Sequence, residues 1–108
     1  MQISVQQAVA QLQQTTGSVF TTVMQHGSMV VELYKPDRID LQQPHEQDEL
    51  YVVISGTGEF LNGETKTAFQ PGDVLFVQAG VVHRFENFTP DFSTWVIFYG
   101  PNGGEAPH

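Results

Sequence analysis

The chain is 108 residues long, enough for one hydrophobic core and too short for two independent domains; 40% hydrophobic and 11% aromatic content excludes a disordered chain. Twelve acidic against four basic residues leave a formal net charge of -8, which argues against a partner with a phosphate backbone. The chain has no cysteine, which excludes disulfides, zinc–cysteine sites, iron–sulfur clusters and thiol nucleophiles. Any metal must be held by histidine, carboxylate, amide or water.

The first sixteen residues are the only helical stretch. Ser4 can act as N-cap, with Gln7 three residues later completing a capping box. Val5, Ala8, Val9 and Leu12 make a narrow apolar stripe, and Gln6, Gln7, Gln11, Gln13 and Gln14 cover the other face. The N-terminus lacks the basic start and apolar run of a signal peptide, and no apolar run approaches the roughly 20 residues of a membrane helix. A cytoplasmic protein with no membrane contact is the expectation.

From Val19 onward, β-branched and aromatic residues alternate with turn signals. The expected strands are Val19–Gln25, Ser28–Tyr34, Leu50–Ile54, Glu59–Leu61, Thr65–Phe69, Val74–Val77, Val82–Glu86 and Thr94–Tyr99. Asn62-Gly63 suits a type I′ turn and predicts a hairpin around it. Residues 101–108 are rich in Gly and Pro and are expected to fray, with the terminal His108 exposed. His26, beside Gly27, reads as a solvated turn histidine. Short, evenly spaced strands in one domain of 108 residues indicate an all-β sandwich or closed barrel behind a short N-terminal helix.

Alternation places Val81, His83, Phe85 and Asn87 on one face, with His83 inward between apolar neighbours. In Glu49–Ile54 both faces are apolar apart from Glu49, so this strand needs cover on both sides: the opposing sheet, the helix or a partner subunit. If Gln43–Tyr51 is extended, Gln43, His45, Gln47, Glu49 and Tyr51 share the inward face. A carboxylate inside an apolar barrel is costly unless paired, and Lys35, Arg38, Lys66 and Arg84 are the only cations. A divalent metal would neutralise Glu49 and satisfy His45 and His83 together. Two histidines and a carboxylate with open positions form the ligand set of many iron, manganese and related sites.

The same residues carry a family resemblance. His45, three intervening residues, Glu49, six more and Gly56 resemble the first cupin motif, H-x-H-x3/4-E-x6-G. Gly72, Gly80, His83 and Asn87 are in register with the second, G-x5-P-x-G-x2-H-x3-N. The chain departs from these patterns at Asp37 in place of the upstream glycine, Gln43 in place of the first histidine and Gln78 in place of the proline. The resemblance covers about residues 19–99 of a single domain spanning 1–108. It implies a jelly-roll-like cupin β-barrel, usually a homodimer, around a divalent ion (Fe, Mn, Ni or Zn). The implied ligands are His45, Glu49 and His83, with Gln43 at the motif position as fourth ligand and Gln47 as the rival amide. Metal cupins include dioxygenases, isomerases, decarboxylases and lyases alongside non-catalytic binding proteins, and a small-molecule ligand is the expected partner. Glu49 is also a candidate base. Gln47, Tyr51, Phe85, Trp95 and Tyr99 are candidate pocket residues, although alternation equally allows Val96 and Phe98 to face the lumen instead of Trp95 and Tyr99.

Overall fold

Ser4 starts the single helix, α1 (Val5–Gln13), by the expected capping box: its side chain accepts from Gln7 N–H, and the Gln7 side chain accepts from Ser4 N–H. The computed structural model describes residues 1–106. Among these, eight strands follow the helix: β1 (Phe20–His26), β2 (Met29–Tyr34), β3 (Asp48–Ser55), β4 (Gly58–Asn62), β5 (Thr65–Phe69), β6 (Val74–Val77), β7 (His83–Glu86) and β8 (Ser93–Tyr99). They form two antiparallel sheets, one in the order β1-β2-β8-β3-β6 and one in the order β5-β4-β7. The fold is all-β, two antiparallel sheets facing each other as a barrel, in line with the architecture the resemblance implies.

The two inner faces meet in one core. Tyr34, Tyr51, Val53, Val77 and Val96 come from the larger sheet and Phe60, Phe69 and Phe85 from the smaller, with Phe92 from the turn before β8. The phenylalanines interlock, with the Phe85 and Phe92 rings 4.6 Å apart and the Tyr51 and Phe85 rings edge-on at 4.9 Å. The outer face of the larger sheet is covered at one end by α1, where Ala8 and Leu12 pack on Leu33, with Val9, Val23, Ile54 and Trp95 around them. Gln11 fastens the helix down by donating to Thr21 Oγ1 and the Thr22 carbonyl, both at 2.7 Å.

Three local expectations are corrected. The hairpin at Asn62-Gly63 exists, but Asn62 pairs with Thr65, so the central turn residues are Gly63 and Glu64. Only Gly63 has positive φ, the pattern of a II′ rather than an I′ turn. Asn62 is drawn into the strand because its amide donates to the Phe76 carbonyl at 2.8 Å. Asn87 does not continue the inner face of β7: it turns into the left-handed region at φ 51°, is exposed, and donates to Glu59 at 2.7 Å. The segment after β8 does not fray over its described part. Gly103 N–H donates to the Glu46 carbonyl at 2.6 Å and Glu105 N–H to Asp48 at 2.9 Å. His108 lies outside the described residues, and His26 is exposed at the end of β1.

Gly56 has a steric reason to be glycine. Its φ is +85°, and a Cβ there would lie 2.5 Å from Phe92 Cα. The sharp exit from β3 therefore lets the Phe92 turn close over the end of the core.

Candidate metal centre

Glu49 is the second residue of β3 and His83 the first of β7. The sheets bring them face to face across the barrel, and both are buried. His45 arrives from the irregular segment 35–47 between β2 and β3, where its carbonyl accepts from Gly80 N–H at 2.8 Å. That bond ties the loop of His45 to the turn that leads into His83. The resulting trio has one ligand-type atom from each residue, all within 4.8 Å of one another. His83 Nε2 lies 2.8 Å and His45 Nε2 3.9 Å from Glu49 Oε1, and the two imidazole centroids are 5.4 Å apart.

The donor set fits a metal. His83 Nδ1 is 2.9 Å from the Val81 carbonyl, which can only accept, so Nδ1 carries a proton, and in the neutral ring Nε2 presents its lone pair inward. His45 Nε2, His83 Nε2 and both oxygens of Glu49 are buried and have no aligned hydrogen-bond partner. Orphaned buried polar atoms are costly; a proton on His83 Nε2 would satisfy part of this set against Glu49, and a cation between the four would satisfy all of it. No basic side chain supplies that cation. Lys35 donates to the Pro90 and Phe92 carbonyls, Arg38 pairs with Asp37, and Lys66 and Arg84 pair with Glu86.

Burial pulls the His83 imidazole towards its neutral form, but the Glu49 carboxylate and the Val81 carbonyl outweigh it, and its pKa is raised. Burial, followed by the charge of Glu49, pushes the Tyr51 hydroxyl well up. Tyr51 therefore acts near the centre as a neutral hydrogen-bond donor.

The other expected site residues fall in different places. Gln43 is exposed. Its neighbour Gln42 takes the inward position: its Oε1 accepts from the Tyr51 hydroxyl at 2.9 Å, and its Nε2 donates to Asp40 at 2.8 Å. The expectation for Gln43 assumed an extended chain from 43 to 51, whereas the strand begins only at Asp48 and parity has no meaning before it. Gln47 is used structurally, its amide donating to the Ser28 carbonyl at 3.1 Å and the Gly100 carbonyl at 2.9 Å. Tyr51 and Phe85 are in the core beside the centre, each fully buried. Trp95 is not in the barrel but under α1, and Tyr99 shares its face of β8 by alternation. Val96 and Phe98 are the lumen residues, with the Phe98 ring edge-on to His45 at 4.9 Å.

Sequence reasoning missed Asp40. This buried carboxylate accepts from the Tyr34 hydroxyl at 2.5 Å, the Phe85 N–H at 2.8 Å, and the backbone and side chain of Gln42. It locks the His45 segment to β7, and through Gln42 to Tyr51. Only the fold reveals it, because its partner Phe85 is distant in sequence.

A cleft of about 640 Å³ opens beside His45, lined by Val19, Phe20, Glu32, Tyr34, Ile39 and Phe98 among others. His45 is a third exposed while His83 and Glu49 are closed off, so the centre is approached from the His45 side.

Comparison with known proteins agrees with this geometry. The Cupin_2 cupin-domain family matches residues 30–99. An uncharacterized protein of Streptomyces coelicolor, SCO3923, is 40% identical over 76 residues, covering 68% of this chain and 72% of that one. The structure is similar to protein NMB1881 of Neisseria meningitidis (TM-score 0.71, 19% identity, 93% of this chain and 100% of that one). It is also similar to KdgF from a Halomonas species (TM-score 0.66, 22% identity, 73% and 76%) and to a cupin 2 conserved barrel domain protein of Salinispora arenicola (TM-score 0.63, 16% identity, 75% and 74%). With both motif histidines and the motif glutamate gathered at one point of such a barrel, and the family match spanning well over half of its length, the chain belongs to the cupin family.

Proposed function

We propose that this cupin is a metal-dependent enzyme acting on a small organic molecule, with His45, Glu49 and His83 as the ligands of one divalent ion. The observation that carries the reading is the convergence of four buried polar atoms from these three residues, none of them in an aligned hydrogen bond. A bound iron, manganese, nickel or zinc ion supplies Lewis-acid chemistry, or redox chemistry in the case of iron, at the positions the three ligands leave open. Dioxygenase-type chemistry stands slightly ahead of isomerisation or lyase chemistry. The chain's own contribution is to bind and orient. The substrate enters the cleft beside His45, lies against Phe98, and is kept from water at its inner end by Tyr51 and the Phe60–Phe85 pair. Glu49 is the carboxylate at the centre: it would hold the ion, and it is the candidate base toward a substrate proton.

The test is metal content followed by turnover. Purified protein should take up one equivalent of at least one of iron, manganese, nickel or zinc, and should consume an enediol or diketone candidate with or without oxygen uptake. Uptake without any turnover would support a non-catalytic binding protein, and no uptake would support a purely structural barrel. Equal consumption by His83→Ala and Glu49→Ala would sink the metal mechanism.

The reading includes a homodimer. Leu50 and Val52 of β3 pair with Phe76 and Val74 of β6, and Val74 and Phe76 are exposed on the part of the outer face that α1 does not cover. A monomer by sedimentation at micromolar concentration would contradict it. A cytoplasmic setting also belongs to this reading, since a cysteine-free chain needs no oxidising compartment. Among the described residues no helix is long and apolar enough to cross a membrane.

A further inference from the structure

The cleft beside His45 has a second carboxylate in its wall, that of Glu32. Glu32 lies on β2, opposite Thr22 of β1 and Val96 of β8, and so faces the same side as Tyr34. Its Oε2 accepts a long bond from Thr22 Oγ1 at 3.3 Å, and among the described residues its Oε1 has no partner. Burial, opposed by the Thr22 bond and reinforced by the charge of Glu49, raises its pKa. The rest of the lining is mostly apolar, Phe20, Ile39, Leu41 and Phe98 among it, with Gln42 and His45 at the inner end and Asp37 at the rim, and it holds no lysine or arginine. The volume, about 640 Å³, suits a small organic ligand.

We propose that this cleft selects a small molecule with an apolar body and a protonated amine, and that Glu32 is the residue that recognises the amine. The apolar body covers Phe20, Ile39 and Phe98, whose exposed surfaces otherwise face water. The amine occupies the free oxygen of Glu32 in a charge-assisted hydrogen bond inside a partly desolvated wall. Carboxylates and phosphates are disfavoured because the cleft offers them the Glu32 carboxylate and no lysine or arginine in its lining. The proposal rests on the cleft being the substrate site of the proposed enzyme, and it does not depend on the ion.

The experiment is ligand-observed NMR titration with benzylamine, benzyl alcohol and benzoate. Wild-type protein and Glu32→Gln are each titrated in chelator-treated and zinc-treated form. The Gln variant is nearly isosteric, and its thermal melt reports whether it folds. In the chelator-treated wild type, benzylamine should bind at least about tenfold more tightly than benzoate, and Glu32→Gln should bring it down to the level of benzyl alcohol. Benzoate binding as tightly as benzylamine, an amine preference that survives in folded Glu32→Gln, or no binding of any probe would overturn the proposal. A dimer in which a second copy fills the cleft would appear as that last outcome. The metal reading fails separately: absence of zinc uptake with the amine preference intact sinks the metal centre alone.

Discussion

His83 Nε2 lies 2.8 Å from Glu49 Oε1, and the two atoms still do not form an aligned hydrogen bond. The proton of His83 is on the opposite nitrogen, held by the Val81 carbonyl. In the neutral imidazole both facing atoms are therefore lone-pair donors, brought close by two different sheets, and His45 Nε2 adds a third from the loop. Such crowding of acceptors calls for a positive charge, supplied by a proton on His83 in the metal-free protein or by a bound cation. His83→Ala and Glu49→Gln should each lower zinc or iron affinity by at least about 100-fold, the upper end of what loss of even a supporting partner costs a metal site. Competition against a chromophoric chelator reads this directly, and an affinity within a few-fold of wild type would contradict it.

The same pair sets the direction of two pH dependences. The raised His83 pKa means that, without metal, its protonated form is stabilised by folding. That contribution is fully present below the unfolded value of about 6.5 and is lost as pH rises through the raised folded value. Metal binding needs the deprotonated imidazole and so strengthens over the same rise. Thermal melts from pH 6 to 9 should show a downward slope for the chelator-treated protein and a growing zinc-induced increment. Parallel pH curves with and without zinc would contradict the assignment.

Asp48 predicts a second, acidic window. The Glu105 and Ala79 amides that it accepts from lower its pKa. Their stabilisation is present above the unfolded value of about 3.9 and is lost as pH falls through the depressed folded value. Asp48→Asn should lose stability at neutral pH and flatten the acid limb of unfolding. An acid limb as steep as that of wild type would place the acid-sensitive group elsewhere.

The strands were legible because a two-sheet barrel imposes a period of two on residues such as Tyr51, Val53, His83 and Phe85. The grouping of His45, Glu49 and His83 was legible because these residues sit at fixed spacing on, or just before, strands. Gln43 misled because residues 35–47 are irregular, and a side chain's direction there is decided by partners rather than parity. Trp95 misled because β8 is apolar on both faces, one for the barrel and one for α1, so alternation carries no sign. Asp40 was invisible because its meaning lies in the Phe85 amide, which only the folded sheet brings to it.

Asp40 should accordingly be among the most costly polar positions. Replacing it with alanine removes the acceptor of the buried Tyr34 hydroxyl and the Phe85 amide together. At about 1–3 kcal/mol for each buried group left unsatisfied, Asp40→Ala should lose about 3–5 kcal/mol in urea unfolding. Tyr51→Phe removes the bond to Gln42 and should lose about 1 kcal/mol. A comparable loss in the two variants would show that Asp40 is not the hub of this loop.

Gly56 and Gly72 separate backbone strain from close contact. Both have left-handed φ, +85° and +90°, but a Cβ at Gly56 would lie 2.5 Å from Phe92 Cα while one at Gly72 would meet nothing within 4 Å. Gly72→Ala should therefore cost only the conformational penalty of about 1–2 kcal/mol. Gly56→Ala carries the same penalty plus displacement of the Phe92 backbone, whose side chain packs on Phe69, Phe85 and Phe88. Its loss should exceed that of Gly72→Ala by at least about 1 kcal/mol. Urea midpoints at constant slope measure both, and equal losses would mean that the exit from β3 can relax away from the Phe92 turn without disturbing the aromatic core.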